Sequence, residues 1–153
     1  MLRAYAAADE AATIELWRRT WQTAYPDIDF SARIAWWRER WRSELVPACT
    51  ITVAETGGVV ADAGPARMIG FVTVDPATGY LDQLVVAPET WGLQVARALI
   101  DTAKQIAPAR IDLDVNQDNA RAIAFYKKHG FAIGGKDVNA RSGKPIYHMS
   151  WRP

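Results

Sequence analysis

The sequence is poor in several things at once. It holds one cysteine, Cys49, and two histidines, His129 and His148, in 153 residues. A single cysteine excludes an intrachain disulfide, so nothing in the chain requires an oxidising compartment. Set between Ala48 and Thr50 and leading into Ile51 and Val53, Cys49 reads as a small core residue rather than a nucleophile. Neither histidine has a ligand-spaced partner, which argues against zinc, and no metal is expected. His129, next to Gly130, reads as a cation at a helix C-terminus. There is no G-x-S-x-G elbow, and Gly143-Lys144-Pro145 lacks the upstream glycine and following hydroxyl of a phosphate loop. No run of about 18 apolar residues occurs, which excludes an ordinary membrane helix. Asp9, Glu10 and Glu15 interrupt the N-terminal region where a secretory signal would need an apolar stretch. The expectation is a cytoplasmic chain without a membrane partner. Excess charge is missing too: the formal net charge of +1 offers no global reason for a nucleic-acid partner.

What is present fits a folded globular chain, with 50% hydrophobic and 23% charged residues. The length suits one domain, residues 1–153, able to bury a core without disulfide or metal. Tryptophan is abundant, seven in all, and Trp17, Trp21, Trp36, Trp37 and Trp41 crowd the first third.

A first short strand is predicted over Leu2–Ala6, with Asp9 as a helix N-cap. Ile14, Trp17, Trp21 and Ala24 recur at helical steps over Glu10–Ala24, and Tyr25-Pro26-Asp27 stops that helix. A second helix, capped by Ser31, runs to Leu45 with Ile34, Trp37, Trp41 and Leu45 on one stripe, and Pro47 follows its end. The arginines at 18, 19, 38, 40 and 42 read as the wet faces of these helices. Strands are predicted over Thr50–Ala54, Met68–Val74, Tyr80–Val86, Ile111–Val115, Phe131–Ile133 and Pro145–Trp151. The glycine-rich piece Glu55–Pro65 reads as a loop. Helices are predicted over Leu93–Ala107, with Leu93, Ala96, Leu99, Ile100, Ala103 and Ala107 inward, and from Asp118 or Asn119 to His129, closed by Gly130. The order defines an α+β, or mixed α/β, fold.

The segment Leu84-Val85-Val86-Ala87-Pro88-Glu89-Thr90-Trp91-Gly92-Leu93-Gln94-Val95-Ala96-Arg97 runs from a strand through a short turn into a helix. The first N–H groups of a helix have no internal partners and lie at its positive dipole end. Small residues at Gly92 and Ala96 leave room for an anion to approach them. Further on, Asn119-Ala120-Arg121-Ala122-Ile123-Ala124-Phe125-Tyr126-Lys127-Lys128-His129-Gly130-Phe131 resembles the N-x-x-A-I-x-x-Y-x-x-x-G-F signature of the GNAT acetyltransferase superfamily. The preceding segment is similar to that family's acetyl-CoA motif, Arg/Gln-x-x-Gly-x-Gly/Ala after a strand ending near proline. It departs from the motif at Trp91, in place of Arg or Gln, and at Gln94, in place of the middle glycine. With the helix and strand between them, the two pieces span about a third of the chain.

The resemblance implies a mostly antiparallel mixed sheet of about seven strands, flanked by about four helices and splayed between the fourth and fifth strands. It implies acetyl-CoA as co-substrate, held by Leu84, Val85, Val86, Trp91, Gly92, Leu93, Gln94, Val95, Ala96, Arg97, Asn119 and Tyr126. Tyr126 occupies the family's general-acid position, and a phenol is a suitable acid for a departing thiolate. Asp114 is the first candidate base and Asp82 the second. Period-two alternation puts Asp112 and Asp114 on one strand face, opposite Leu113 and Val115, which is also what a plain polar face looks like. On the acceptor side Trp17, Trp21, Trp37 and Trp41 are expected to pack helices onto the sheet, while Trp36, off that stripe, and Tyr25 line a cleft. Arg141, in the loop 139–144, is either solvated or a partner for a carboxylate. That loop lies late enough to close over the cleft or to join a homodimer. The expected reaction is acyl transfer from acetyl-CoA to a primary amine of a small molecule or peptide. A non-catalytic acyl-CoA-binding sensor, or a transferase using another acyl donor, is the alternative.

Overall fold

A computed structural model describes residues 1–57 and 65–153. The expected loop glycines Gly58 and Gly64 lie outside the described residues. The elements are β1 (Leu2–Ala4), α1 (Glu10–Ala24), α2 (Ile34–Arg40), α3 (Val46–Ala48), β2 (Thr50–Glu55), β3 (Met68–Val74), β4 (Leu81–Val86), α4 (Val95–Ile106), β5 (Ile111–Asn116), α5 (Ala120–Lys128), β6 (Ala132–Val138) and β7 (Pro145–Trp151). The strands form antiparallel sheets of order β1-β2-β3-β4 and β5-β7-β6.

Where the sheets meet, β4 and β5 share one parallel bridge, Tyr80 to Asp112, and beyond it they are not paired. The bridge is held by the Asp112 amide donating to the Gly79 carbonyl at 3.0 Å. Gly79 has φ +78°, and a Cβ built there would lie 2.3 Å from the Arg110 carbonyl oxygen. The strands can therefore touch at this end only because residue 79 has no side chain.

Apolar side chains cover both faces of the first sheet. Phe71, Val53 and Val85 meet Trp17, Phe30, Trp37 and Trp41 from α1 and the α2 region. Val72, Val74 and Val86 meet Leu99, Ile100 and Ala103 of α4, a layer that continues into Ile111, Leu113 and Met149 of the second sheet. Trp17 stacks on Trp37 at 4.7 Å, and Trp41 meets Phe71 edge-on at 5.5 Å. Trp17, Trp37 and Trp41 are buried as expected, but Trp21 is only half-buried.

Several boundaries differ from expectation for identifiable reasons. Asp9 precedes α1 but makes no side-chain cap. Its carboxylate instead grips the Arg3 guanidinium at 2.8 Å and accepts the Ala6 amide. Ser31 opens a 3-10 turn, and Asp29 rather than Ser31 caps it by accepting the Ala32 amide. The helix does not stop before Pro47. It widens into a π turn over Trp41–Leu45 and continues through α3, with Pro47 inside. A proline ring clashes with the carbonyl four residues back, and the i→i+5 spacing of the π turn, Val46 to Trp41, relieves that crowding. α4 begins at Val95, so Leu93 is 63% exposed rather than inward. β6 extends to Val138, well past Ile133, because it pairs with β7 along its length. Asn119 caps α5 by accepting the Ala122 amide at 3.2 Å, and Gly130 at φ +91° closes it.

Gly79→Ala should destabilise the protein by roughly 2–5 kcal/mol, combining left-handed strain with overpacking. Urea unfolding of the two proteins measures it.

Candidate active site

On the α4 side of the split lies a cavity of about 910 Å³ lined by Leu84, Val86, Trp91, Gln94, Arg121 and Tyr126 among others. All the expected cofactor-holding residues except Val95 line it. Among the described residues, the backbone N–H groups of Gly92, Gln94, Val95, Ala96 and Arg97 donate to no backbone carbonyl or side chain. They belong to the turn and first helical turn that follow Pro88–Thr90. A set of free amides at the positive end of a 12-residue helix is a cradle for an anion. Gly92 sits at φ +86° with open space where a Cβ would be, so its backbone is bare toward the cavity. Gln94 takes the position before the helix and is exposed. The residues present therefore fit a phosphate-bearing ligand despite the missing motif glycine.

Trp91 is occupied. Its indole N–H donates to the Val86 carbonyl at 2.9 Å, and the Arg121 guanidinium lies 3.3 Å above its ring. Burial lowers the Arg121 pKa without discharging an arginine. A cation is thus present beside the loop, carried by α5 instead of position 91.

The β4 backbone faces the split at alternate residues. Ala87 donates to Ile69 of β3, so Val85 and Ala87 turn their polar groups toward β3, while those of Leu84 and Val86 face the gap. Val85 instead contributes its side chain to the tryptophan-rich core. Tyr126 of α5 is 8% exposed, and burial raises its phenol well above the ordinary value. It stays protonated at neutral pH. Tyr126 lines the α4-side cavity and also a second cleft of about 390 Å³ on the α1/α2 side, as do Trp21, Leu84, Asn119 and Ala122. These residues form the passage between the two.

The second cleft gathers Asp82, Asp114, Tyr25, Trp36 and Arg141, which are widely separated in the chain. A β-bulge where Thr73 and Val74 pair with Gln83 and Leu81 leaves Asp82 without a partner on β3 and turns it to this side. There Asp82 receives both ends of the Arg40 guanidinium, one at 2.9 Å, and the Gln83 amide at 2.9 Å. Arg40 is accordingly not a wet-face arginine. Its fellows Arg18, Arg19, Arg38 and Arg42 do pair with carboxylates on the surface. Asp114 accepts the Tyr80 hydroxyl at 2.8 Å and is hydrogen-bonded to His148 Nδ1. His148 Nε2 faces Asp137 at 3.4 Å, and these carboxylates, Asp114 foremost, raise the histidine above its usual value. Tyr25 donates to Asp118 at 2.7 Å and accepts from Asn116, and burial pushes its pKa up to about 12. Trp36 is half-buried with the Arg141 guanidinium 3.7 Å over its ring.

Sequence reasoning did not find Arg40, Tyr80, Arg121 or His148. The alternation of β7, with His148 set opposite Asp114 in register, was the available signal for one of them. His129 also differs from its reading as a cation. Burial, reinforced by Lys104, lowers its pKa and favours the neutral ring, which packs on Phe125 at 4.4 Å. Cys49 is half-buried, and burial pushes its thiol up to about 11, so it is not a thiolate at neutral pH.

A split sheet with a row of free amides on one side and an aromatic, charged cleft on the other has room for two reactants that meet at the split. The family model described as "Acetyltransferase (GNAT) family" matches residues 11–131. The chain belongs to this family and is a GNAT N-acetyltransferase. It is 36% identical over 66 residues to the peptidyl-lysine N-acetyltransferase YjaB of Escherichia coli, covering 43% of this chain and 44% of that one. Against the YjaB of Salmonella typhimurium it is 30% identical over 105 residues, 68% of this chain and 70% of the relative. The solution structure of apo YjaB from E. coli superposes with a TM-score of 0.74 at 23% identity, covering 99% of this chain and 96% of that one. The PaiA N-acetyltransferase of Thermoplasma acidophilum, solved in complex with coenzyme A, gives 0.73 at 21% identity over 100% and 98% of the chains. These superpositions show the fold. No helix among the described residues is long and apolar enough to cross a membrane.

The His148 pairs give a signed pH dependence. A raised folded-state pKa means their stabilisation is complete below about 6.5, the unfolded value, and fades as pH rises through the folded value. An NMR titration of the His148 ring should show a midpoint above 6.5, moved down by Asp114→Asn.

Proposed function

We propose that the protein transfers the acetyl group of acetyl-CoA to a primary amine of a small molecule or peptide, by direct attack within a ternary complex. The observation that carries this reading is Tyr126, which lines both the phosphate-cradling cavity and the acceptor cleft. Acetyl-CoA supplies an activated thioester. The free amides of Gly92, Gln94, Val95, Ala96 and Arg97 hold its pyrophosphate, with Arg121 nearby, and the gap-facing backbone of Leu84 and Val86 holds its arm. The PaiA neighbour with coenzyme A bound supports that side.

The amine enters from the aromatic cleft, past Trp36, Tyr25 and Arg141. Its lone pair forms the new C–N bond at the thioester carbon while the C–S bond breaks. Tyr126 gives its phenolic proton to the leaving sulfur. Asp114 is the first candidate to take the proton the nitrogen loses, because its hydrogen bond to the part-exposed His148 offers that proton a way to solvent. Asp82 ranks second, since Arg40 and Gln83 already occupy its oxygens. The relatives named peptidyl-lysine N-acetyltransferases favour a lysine side chain among the acceptors.

Tyr126→Phe should lower kcat about 100-fold, within the usual range for a general acid, while leaving acetyl-CoA affinity unchanged. Thiol release on an amine panel measures the first quantity. Thermal shift measures the second, with about 2.7 kcal/mol of stabilisation expected at ligand concentrations 100 times Kd. Full turnover by the phenylalanine variant would remove the acid role. Absence of any shift with acetyl-CoA would remove the cofactor assignment.

A further inference from the structure

The acceptor cleft has an uneven charge inventory. Its lining includes the carboxylates Asp82 and Asp114 and the cations Arg33, Arg40, Arg141 and Lys144. Both carboxylates are engaged, Asp82 by Arg40 and Asp114 by His148 and Tyr80. Lys144 pairs with Asp118 at 3.1 Å. Arg33 and Arg141 remain, and neither meets a carboxylate among the described residues. Each is laid on an aromatic ring instead, Arg33 5.3 Å above Phe30 and Arg141 3.7 Å above Trp36.

Elsewhere this chain pairs its arginines readily, as Arg18 with Glu15, Arg42 with Glu10 and Arg110 with Asp112 show. Two unpaired guanidiniums entering one concavity from different elements are therefore notable. Arg33 comes from the turn before α2, Arg141 from the tip of the β6–β7 hairpin, and Trp36 stands one helical turn beyond Arg33. Contact at 3.7 Å holds the Arg141 guanidinium on Trp36 while leaving its N–H edge free for a planar, two-oxygen partner, and Arg33 lies within cation–π range of Phe30. A polyamine would meet repulsion here. A molecule with a carboxylate beside its amine would give both cations a shared partner.

We propose that the acceptor carries a carboxylate close to the reacting amine, received by Arg141 and Arg33 across Trp36. The inference rests on the acetyl-transfer reading of the cleft and names its substrate class. The carboxylate belongs either to a free amino acid or to an acidic side chain beside a lysine in a peptide.

Calorimetry on the full chain saturated with CoA, where no transfer occurs, tests it. The probes are phenylalanine against phenylalaninamide, at a pH where both amines are protonated, and a lysyl hexapeptide with a neighbouring Glu against the same peptide with Gln. In at least one pair the carboxylate ligand should bind about tenfold or more tightly. Arg141→Gln and Arg33→Gln should each shrink that ratio. Raising the salt concentration should shrink it in the unmodified protein too, which keeps the test decisive if a variant fails to fold. A preference in one pair alone identifies the source. Equal binding within both pairs, no binding in either, or a preference untouched by the substitutions and by salt overturns the proposal. Thiol release from acetyl-CoA, measured separately, decides the transfer reading without touching this ratio.

Discussion

The site depends on two strands that meet at one end and nowhere else. Gly79 and the Tyr80–Asp112 bridge bring β4 and β5 together, and the right-handed twist native to strands does the rest once pairing stops. A sheet normally leaves no polar backbone unsatisfied inside it. Here Leu84 and Val86 turn theirs into the opening, and among the described residues only the Val86 carbonyl is taken, by Trp91. The unpaired edge costs stability wherever it is dry, and a ligand that bonds to it returns that stability on binding. An opening able to take a ligand and an exposed strand edge are one feature.

From this opening the molecule sorts its chemistry by face. Helix α4 starts beside the gap with amides unpaired, which sets positive potential on one side. On the other, the bulge at Asp82 breaks the alternation of β4 and delivers a carboxylate to Arg40, while β5 delivers Asp114 to Tyr80 and His148. Tyr126 stands in the passage, buried enough to stay protonated and reachable from either side. The tryptophans of α1 and α2 divide between these tasks. Trp17, Trp37 and Trp41 are buried and anchor the helices, and Trp17 and Trp37 still reach the second cleft, where the less buried Trp21 and Trp36 present more of their rings.

Most of the fold was legible because local rules and tertiary packing agree along most of this chain. The bounds of α1, β3 and β7 match expectation, since Pro26 ends the first and runs of strand-forming residues mark the others. The misses share a cause, which is that the deciding partner is distant in sequence. Asp9 looks like a helix cap until Arg3 and Glu55 meet beside it. Arg40 belongs to an arginine-rich helical stripe and differs from Arg38 and Arg42 only because a bulge 42 residues away turns Asp82 toward it. The candidate site was legible to the extent that Tyr126, Asn119 and Gly92 line one cavity. It was illegible in its charge network, because register between β5 and β7 and the position of a hairpin tip set which side chains meet.

Trp91 shows how a departure from a motif can be absorbed. An arginine at that position would bring a cation to the turn directly. With tryptophan there, the indole N–H bonds to a strand carbonyl at the gap and the ring becomes a platform for Arg121. The guanidinium lies 3.3 Å from the ring centroid and pairs with no carboxylate among the described residues. Positive charge thus reaches the same cavity from α5, the helix that also carries Tyr126. The same device recurs across the split, where Trp36 supports Arg141. In both places an aromatic ring orients an arginine while leaving its charge available, which an ion pair cannot do. Aromatic rings thereby present Arg121 and Arg141 at the two cavities outside the ion pairs that engage Arg97 and Arg40 there.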